Sequence, residues 1–406
     1  MKDVFSNLLP SSLLGTVARS QLNLVPNPYD PFIIKIAETK EELESAFKLF
    51  KYFSHEGLNL TLYHALPSTS VIIFVKNNEV CGTMSVIKDS SFGLPMDQFM
   101  DLSTFRRHQR ITEITSFALA PDYQKESGRY LFSMMKYLFN YVENFMNSDS
   151  VIFRAPRSMK VFLDEILYFD SFEKQFHKEE LDSNSIFRIG YLPKLHLTWH
   201  EKYLGKNKEA NLSYFFDIFK ENKFIFPNRI FFKDHDPVLN TEMLDHFFIR
   251  VPSILNEISS SEKYKLLHFY YMTPFFEPLK KYFNITEDIK LPRKNLRHDV
   301  LNRGLLQHHK WQYHNSSHIL DVSKEGLSIQ VNDSLEKMIL KNESQLRLKM
   351  KIGFNRFVEL KIEPIHDEKE KSLVGCKIID ANKDWENYID FLNSDLMKDV
   401  FIKKVS

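Results

Sequence analysis

The hydrophobic period changes twice along the chain, and those changes restrict the available folds more than any single residue does. Between Phe32 and His200 the apolar residues switch repeatedly between strand and helix spacing. FIIKIAE reads as a strand, and Lys40 to Gly57 as a helix with Leu43, Ala46, Phe47 and Phe50 on one face. Val71–Val75 and Val80–Ile87 flank Lys-Asn-Asn-Glu, which predicts a hairpin because asparagine tolerates the positive φ of a tight turn. ITEITSFALAP reads as a strand ended by Pro121, followed by a helical stripe of Leu131, Met134, Leu138, Val142 and Phe145. VIFRA (151–155) and the alternating LPKLHLTWH (192–200) are expected as the last strands. Aromatic-rich helical patterns such as LSYFFDIFKEN and EKYKLLHFYYMTPFFEPLKKYF follow, and after Lys290 the period becomes two. Predicted are an N-terminal extension at 1–30, a mixed α/β domain at 31–200, a helical appendage or connector at 201–288, and a small β domain at 289–406. WENYIDFLNSDLMKDVF closes that domain as an amphipathic helix.

A length of 406 residues suits two or three domains, and 43% hydrophobic with 26% charged residues is the balance of a chain that folds. The net charge of +1 speaks against binding a nucleic-acid polymer, which requires a basic excess. Cys81 and Cys376 are the only cysteines, with no paired metal-ligand spacing, which suits a reducing compartment and a cytoplasmic location. The N-terminus carries Asp3 and Pro10 in its apolar stretch and makes a poor signal peptide, and no apolar run approaches the ~20 residues of a membrane helix. His308, His309, His314 and His318 are irregularly spaced and expected at the surface, and His196 and His200 share one face of the expected last strand without a third ligand. No metal is predicted.

Within the β domain, Arg293 and Arg297 in RKNLR precede Asp321, Ser323 and Gly326 in DVSKEG. Guanidinium groups fork onto phosphates and onto the N7/O6 edge of guanine, a carboxylate accepts from guanine N1 and N2, and glycine permits close approach. Either motif alone also reads as solvated surface or a plain turn. In this order and interval they resemble the PilZ family, which implies a six-stranded β-barrel over about residues 288–400 that binds cyclic di-GMP through these five residues. Arg303 is an accessory candidate.

The α/β domain has the element order of the GNAT acyltransferases. DSSFGLPMDQF and ITEITSFALAP resemble the N-acyl amino acid synthase branch of that superfamily, the FeeM type, which is similar to acyl-homoserine-lactone synthases. The resemblance implies a bacterial enzyme that takes acyl chains from acyl carrier protein or coenzyme A and needs no cofactor of its own. Amide formation from a thioester requires a base for the amine proton and donors for the oxyanion. Glu113 is the candidate base. Backbone amides along the strand through Phe117 and Leu119 would face the thioester carbonyl, and Gln124, Ser127, Gly128 and Arg129, at the entry to the next helix, would hold the pantetheine phosphate. The loop QKESGR, Ser116 in place of an arginine after the strand glutamate, and Phe162 in place of a tyrosine depart from the family pattern. Arg106, Arg107, Arg110, Lys125 and Arg129 are read either as a patch for an acidic carrier protein or as a solvated face. The 36 phenylalanines are read as core, with an acyl tunnel as the competing reading.

These observations predict an N-acyltransferase responsive to cyclic di-GMP. The alternative is a catalytically degenerate module in which the nucleotide switches contact with a protein partner.

Overall fold

The computed structural model describes residues 29–53, 61–124 except 65, 67 and 91, 127–171, 185–217, 223–232, 258–270, 276–285, 298–308, 313–330, 345–368 and 373–402, with positions 16, 19, 22, 24 and 246 besides. The chain divides into two compact units. One comprises Met1–Glu143, Ser148–Pro227 and Asp236–Val238, and the other Asn144–Asn147, Asn228–His235 and Leu239–Ser406. Residues of the expected connector are therefore shared between the two.

The first unit contains, in chain order, β1 (Ile33–Ile36), α1 (Lys40–Phe53), α2 (Thr61–His64), β2 (Thr69–Lys76), β3 (Glu79–Lys88), α3 (Ser103–His108), β4 (Ile111–Leu119), α4 (Pro121–Gln124), α5 (Ser127–Asn144), β5 (Ser150–Pro156), β6 (Asp170–Ser171), β7 (Ser185–Tyr191), α6 (Leu192–Lys202), α7 (Leu212–Asp217) and β8 (Phe224–Ile225). The strands form one sheet in the order β6-β7-β5-β4-β3-β2-β1-β8. Its pairings are antiparallel except β4 with β5 and β1 with β8, so β4 and β5 require a crossover, and α5 supplies it. The β2–β3 hairpin turns at Asn77 and Asn78, with φ of 53° and 64°, the pair of positive values that a right-twisted hairpin requires. β2 is buried on both faces through Val71, Ile72, Ile73 and Phe74, which explains its unbroken apolar run.

The expected strand at 192–200 is a helix. Pro193 stands in the first turn of α6, where its fixed φ fits, and buried Leu192, Leu195 and Trp199 follow a helical spacing that coincides over nine residues with an apolar/polar alternation. The Trp199 indole donates to the Leu167 carbonyl at 2.9 Å. His196 and His200 therefore share no strand face; His196 is held by Glu143 at 2.5 Å and His200 is exposed. The rings of Phe139, Trp199 and Phe216 are buried against one another, so the aromatic excess here is core.

The second unit contains α8 (Ser260–Phe269), α9 (Phe276–Tyr282), β9 (His298–His308), β10 (Tyr313–Ser323), β11 (Gly326–Gln330), β12 (Leu346–Gly353), β13 (Arg356–Glu368), β14 (Leu373–Ala381) and α10 (Lys383–Ile402). The six strands close an antiparallel barrel in the order β10-β11-β14-β13-β12-β9. β12, LRLKMKIG, shows the governing pattern: Leu346, Leu348 and Met350 enter the core while Arg347 and Lys349 face solvent. Trp385, Tyr388, Ile389 and Leu392 of α10 join that core. The Asn302 amide donates to the Tyr388 hydroxyl at 3.0 Å, and the Trp385 indole donates to the Lys324 carbonyl in the β10–β11 turn at 3.3 Å. His318 is buried, correcting the surface position expected for it, whereas His309 and the side chains of His308 and His314 lie outside the described residues.

Candidate active site

Glu113 is the third residue of β4, opposite Ile87 of β3 and Ile152 of β5, which places it in the centre of the sheet. It is 1% exposed. A buried carboxylate that keeps its charge must be compensated, and Glu113 accepts a hydrogen bond from the Met96 amide at 2.8 Å. Burial pushes its pKa up to about 8; the Met96 hydrogen bond and the positive charge of Arg154 pull against that, and the carboxylates of Asp97 and Asp89 add to it. Glu113 therefore exchanges a proton near neutral pH.

Met96 is brought to Glu113 by the GLPMD segment. Pro95–Gln98 forms one 3₁₀ turn, with Asp97 accepting from the Leu94 amide at 2.7 Å. Gly93 has a φ of +85°, and a Cβ there would stand 2.6 Å from the Asp97 carboxylate. Arg106 of α3 fastens the turn from outside. Its Nε donates to Asp89 at 2.7 Å and its Nη1 to Asp97 at 2.6 Å, while Nη2 reaches both carboxylates. Arg110, expected in a surface patch, is 7% exposed and donates to Asp149 at 2.8 and 2.7 Å. Of the basic run, Arg107 is exposed, and the side chains of Lys125 and Arg129 lie outside the described residues.

Beyond Glu113, β4 changes course. Its register with β3 jumps from Thr115↔Ser85 to Ala118↔Thr83, so Ser116 and Phe117 together face Met84. Ser116 has a φ of 53°, and its buried hydroxyl has no partner among the described residues. The register with β5 ends at Ile114↔Phe153, although β4 runs on to Leu119 and β5 to Pro156. The pairing of the two parallel strands thus ends just before the bulge and leaves one edge of β4 without a strand partner among the described residues. Phe117, half-buried, and Leu119, buried, lie along it. Backbone amides on an unpaired strand edge can receive a carbonyl or amide group of a ligand. Gln124 ends α4, and Ser127, Gly128 and Arg129 form the first turn of α5; their side chains lie outside the described residues.

Two residues were missed in the sequence. Arg154 stands one position past the last β4–β5 pair, on the same face as Glu113, with its guanidinium 5.3 Å from the Phe99 ring centre and 5.9 Å from that of Phe187. His64 of α2 is buried and bonded through Nε2 to the Ser85 hydroxyl at 2.8 Å, in the register position opposite Thr115. The arginine is visible in VIFRA, but only the pairing of β4 with β5 reveals that it points with Glu113.

In the barrel, Asp321 and Ser323 lie near the end of β10 and Gly326 opens β11. The Ser323 hydroxyl accepts from the Gly326 amide and lies within donating distance of its carbonyl, both at 3.1 Å, and a Cβ on Gly326 would come 3.0 Å from the Cys376 carbonyl. Ser323 and Gly326 therefore build the turn itself, while Asp321 is half-buried beside it. Arg303 is half-buried on β9. Arg293 and Arg297 lie outside the described residues, just ahead of β9. Among the described residues no group of three or more His, Cys, Asp or Glu is placed to hold a metal ion, and no helix is long and apolar enough to cross a membrane.

Residues 43–187 match the family model of the N-acyl amino acid synthase FeeM, a span that includes Glu113, GLPMD and the bulge. The solved structure of FeeM, an N-acyl amino acid synthase from uncultured soil microbes, is similar at 18% identity and a TM-score of 0.36 over 41% of this chain and 94% of that one. An acetyltransferase from Streptococcus agalactiae is similar at 15% identity and a TM-score of 0.28 over 40% of this chain and 98% of that one. The Bacillus subtilis inhibitor of motility (MotI/DgrA) is similar at 16% identity and a TM-score of 0.21, over 27% of this chain and 53% of that one. No curated protein matches the chain.

Proposed function

We propose that the α/β unit is an N-acyltransferase that moves a fatty acyl group from a thioester of acyl carrier protein or coenzyme A to an amine such as that of an amino acid, and that cyclic di-GMP bound at the barrel regulates it. Glu113 carries the reading: a carboxylate buried in the central strand, with its pKa near 8, beside Ile114, where the pairing of β4 with β5 ends, and three residues before the bulge at Ser116. The match of residues 43–187 to the N-acyl amino acid synthase family supports it. In this reaction Glu113 takes a proton from the acceptor ammonium, the freed amine attacks the thioester carbonyl, and the tetrahedral intermediate expels the thiolate, which is protonated in turn. Amides of β4 beyond the bulge would receive the oxyanion, and the Ser116 hydroxyl would gain a ligand group as its partner.

The regulatory half of the proposal is supported by the closed six-stranded barrel and by Asp321, Ser323 and Gly326 at one hairpin, preceded in sequence by Arg293 and Arg297. For the nucleotide to alter turnover, it must bind two arrangements of the protein with different affinity.

The test is release of free thiol from long-chain acyl carrier protein and acyl-CoA in the presence of pooled amino acids, with and without cyclic di-GMP, alongside Glu113→Gln. Turnover lost in the variant supports the enzyme. Binding of acyl donor and nucleotide without turnover under any condition supports the alternative, a degenerate module that switches a protein partner. Ser116 and the altered QKESGR loop, which depart from the family pattern, are what favour that second reading.

A further inference from the structure

We propose that the tip of the β12–β13 hairpin docks on an anionic lipid surface, with Phe354 and Phe357 entering the bilayer interface and a row of cations behind them meeting the headgroups. The assignment is independent of the acyl-transfer reading, since every residue it uses lies in the second unit.

The turn carries side chains that its geometry does not require. Pairing of β12 with β13 ends at Gly353↔Arg356, so Phe354 and Asn355 make the reversal, and Asn355 supplies the positive φ of 56°. Tight turns favour Gly, Asn, Asp and Ser, which adopt such angles or bond the local backbone, and phenylalanine does neither. Yet Phe354 is 52% exposed, and Phe357, on the outer face of β13 opposite Lys351, is 49% exposed. Ile230 stands beside them: a Cβ on Gly353 would come within 2.2 Å of its carbonyl oxygen, and the residue is 56% exposed. Three large apolar side chains thus meet water at one end of the barrel, the mark of a surface that binds something.

Charge complementarity selects the partner. Burial alternates along β12, so Arg347, Lys349 and Lys351 leave the barrel on its outer face with no carboxylate among them. Opposite them on β13 stand Lys361, Glu359 and Phe357, and Arg356 follows at the turn. Glu359 and Glu363 are the carboxylates on this stretch of β13, so the cations of the face outnumber them. Lysine and arginine beside an anionic leaflet are attracted to it, and long cationic side chains reach the headgroups while neighbouring rings sit deeper. The Lys349 ammonium lies 5.4 Å from the Phe357 ring centre, which puts the two kinds of group side by side. Between the turn and the start of α10, a hollow of about 470 Å³ is lined by Ile352, Phe354, Asn355, Arg356, Phe357 and Asp384. It has room for a phospholipid headgroup, whose phosphate Arg356 can meet with two parallel hydrogen bonds. A lipid surface demands projecting apolar groups and positive charge without a complementary shape, and a hairpin tip supplies both.

The experiment mixes the full-length protein with phosphatidylglycerol vesicles or with phosphatidylcholine vesicles and reads the bound fraction by sedimentation. Expected is binding to phosphatidylglycerol that falls as NaCl is raised, and none to phosphatidylcholine. Phe354→Ser/Phe357→Thr removes the apolar part of the face and Arg347→Gln/Lys349→Gln part of its charge, and each pair should weaken binding by about tenfold or more. Tm should change little in either, because the replaced side chains are exposed. No binding to phosphatidylglycerol, or binding that either double variant leaves at the wild-type level, overturns the assignment. Retention on immobilised acyl carrier protein without binding to vesicles gives the face to an acidic protein and overturns it too.

Discussion

The Met96 backbone amide donates to the Glu113 carboxylate at 2.8 Å, and this one bond joins a loop segment to the centre of the sheet. It makes the proton affinity of Glu113 depend on the folding of GLPMD, because loss of the donor leaves the charge of Arg154 alone to oppose burial. The loop is held by Arg106 and Gly93, so the geometry of the candidate base is set by residues that do not touch it.

Glu113→Gln tests the base directly. Glutamine keeps an oxygen for the Met96 amide and removes the proton acceptor, so turnover should fall by about 10²–10⁴-fold with the fold retained. Wild-type activity should rise with pH around a midpoint near 8. Stability should move in the opposite direction. The folded pKa of about 8 lies above the ordinary value of 4.5, so between these values the folded state binds more protons than the unfolded one, and stability falls as pH rises. The variant should lose that slope, and Tm measured from pH 5 to 9 should decline less in Glu113→Gln than in the wild type.

Gly93→Ala probes the loop. With φ at +85° and the Asp97 carboxylate 2.6 Å from where the new methyl carbon would stand, alanine meets both backbone strain and a clash that displaces Asp97. A loss of about 1–3 kcal/mol is expected by chemical denaturation, with turnover reduced more than stability implies because Met96 shifts away from Glu113.

How much of this is legible without the structure depends on range. The strands around 71–87 and 111–119 follow from local pattern, and so does the Asn77–Asn78 turn, because only two positive φ values close that hairpin. The six-stranded barrel follows from repeated alternation after Lys290. The segment 192–200 misleads because Leu195, Leu197 and Trp199 alternate as on a strand, whereas the residues actually buried, Leu192, Leu195 and Trp199, follow helical spacing and Leu197 is exposed, and a proline near the start suits the first turn of a helix and the first residue of a strand alike. Glu113 is visible through its motif, whereas the roles of Arg106, Arg110 and Arg154 are not, since a sequence shows a charge but not its partner 17, 39 or more residues away. The Ser116 bulge is invisible for a similar reason: it is a change of pairing, set by β3 and β5 together.

Arg106→Met should show what the clamp is worth. Removing the guanidinium leaves Asp89, whose pKa burial already raises against the pull of Arg106, facing Asp97 without a counter-charge. A cost of about 1–2 kcal/mol is expected at neutral pH, below that of a fully buried pair because Arg106 and Asp97 are each 31% exposed. Because the folded pKa of Asp89 lies above its unfolded value, stability is greatest at low pH and is lost as pH rises through it. The Tm gap between wild type and variant should therefore narrow as pH falls toward 4, and an unchanged gap would place the cost elsewhere.

The barrel separates residues that bind from residues that shape. Ser323 and Gly326 hold one another across the turn at 3.1 Å, so Ser323→Ala should cost about 1 kcal/mol of stability whether or not a nucleotide is present. Asp321 sits half-buried beside that turn, and Asp321→Ala should reduce cyclic di-GMP affinity by more than its change in Tm accounts for. Arg293→Ala/Arg297→Ala should abolish saturable binding in calorimetric titration, since two charge-assisted contacts to phosphate or guanine are removed together. The order of the three effects is the useful reading. Binding that survives loss of both arginines would remove the nucleotide from this hairpin, whereas binding lost with the arginines and weakened by Asp321→Ala would tie the ligand to one end of the barrel. There the Trp385 indole of α10 already bonds the Lys324 carbonyl at 3.3 Å, so an occupied turn should also raise the protection of α10 amides in hydrogen exchange.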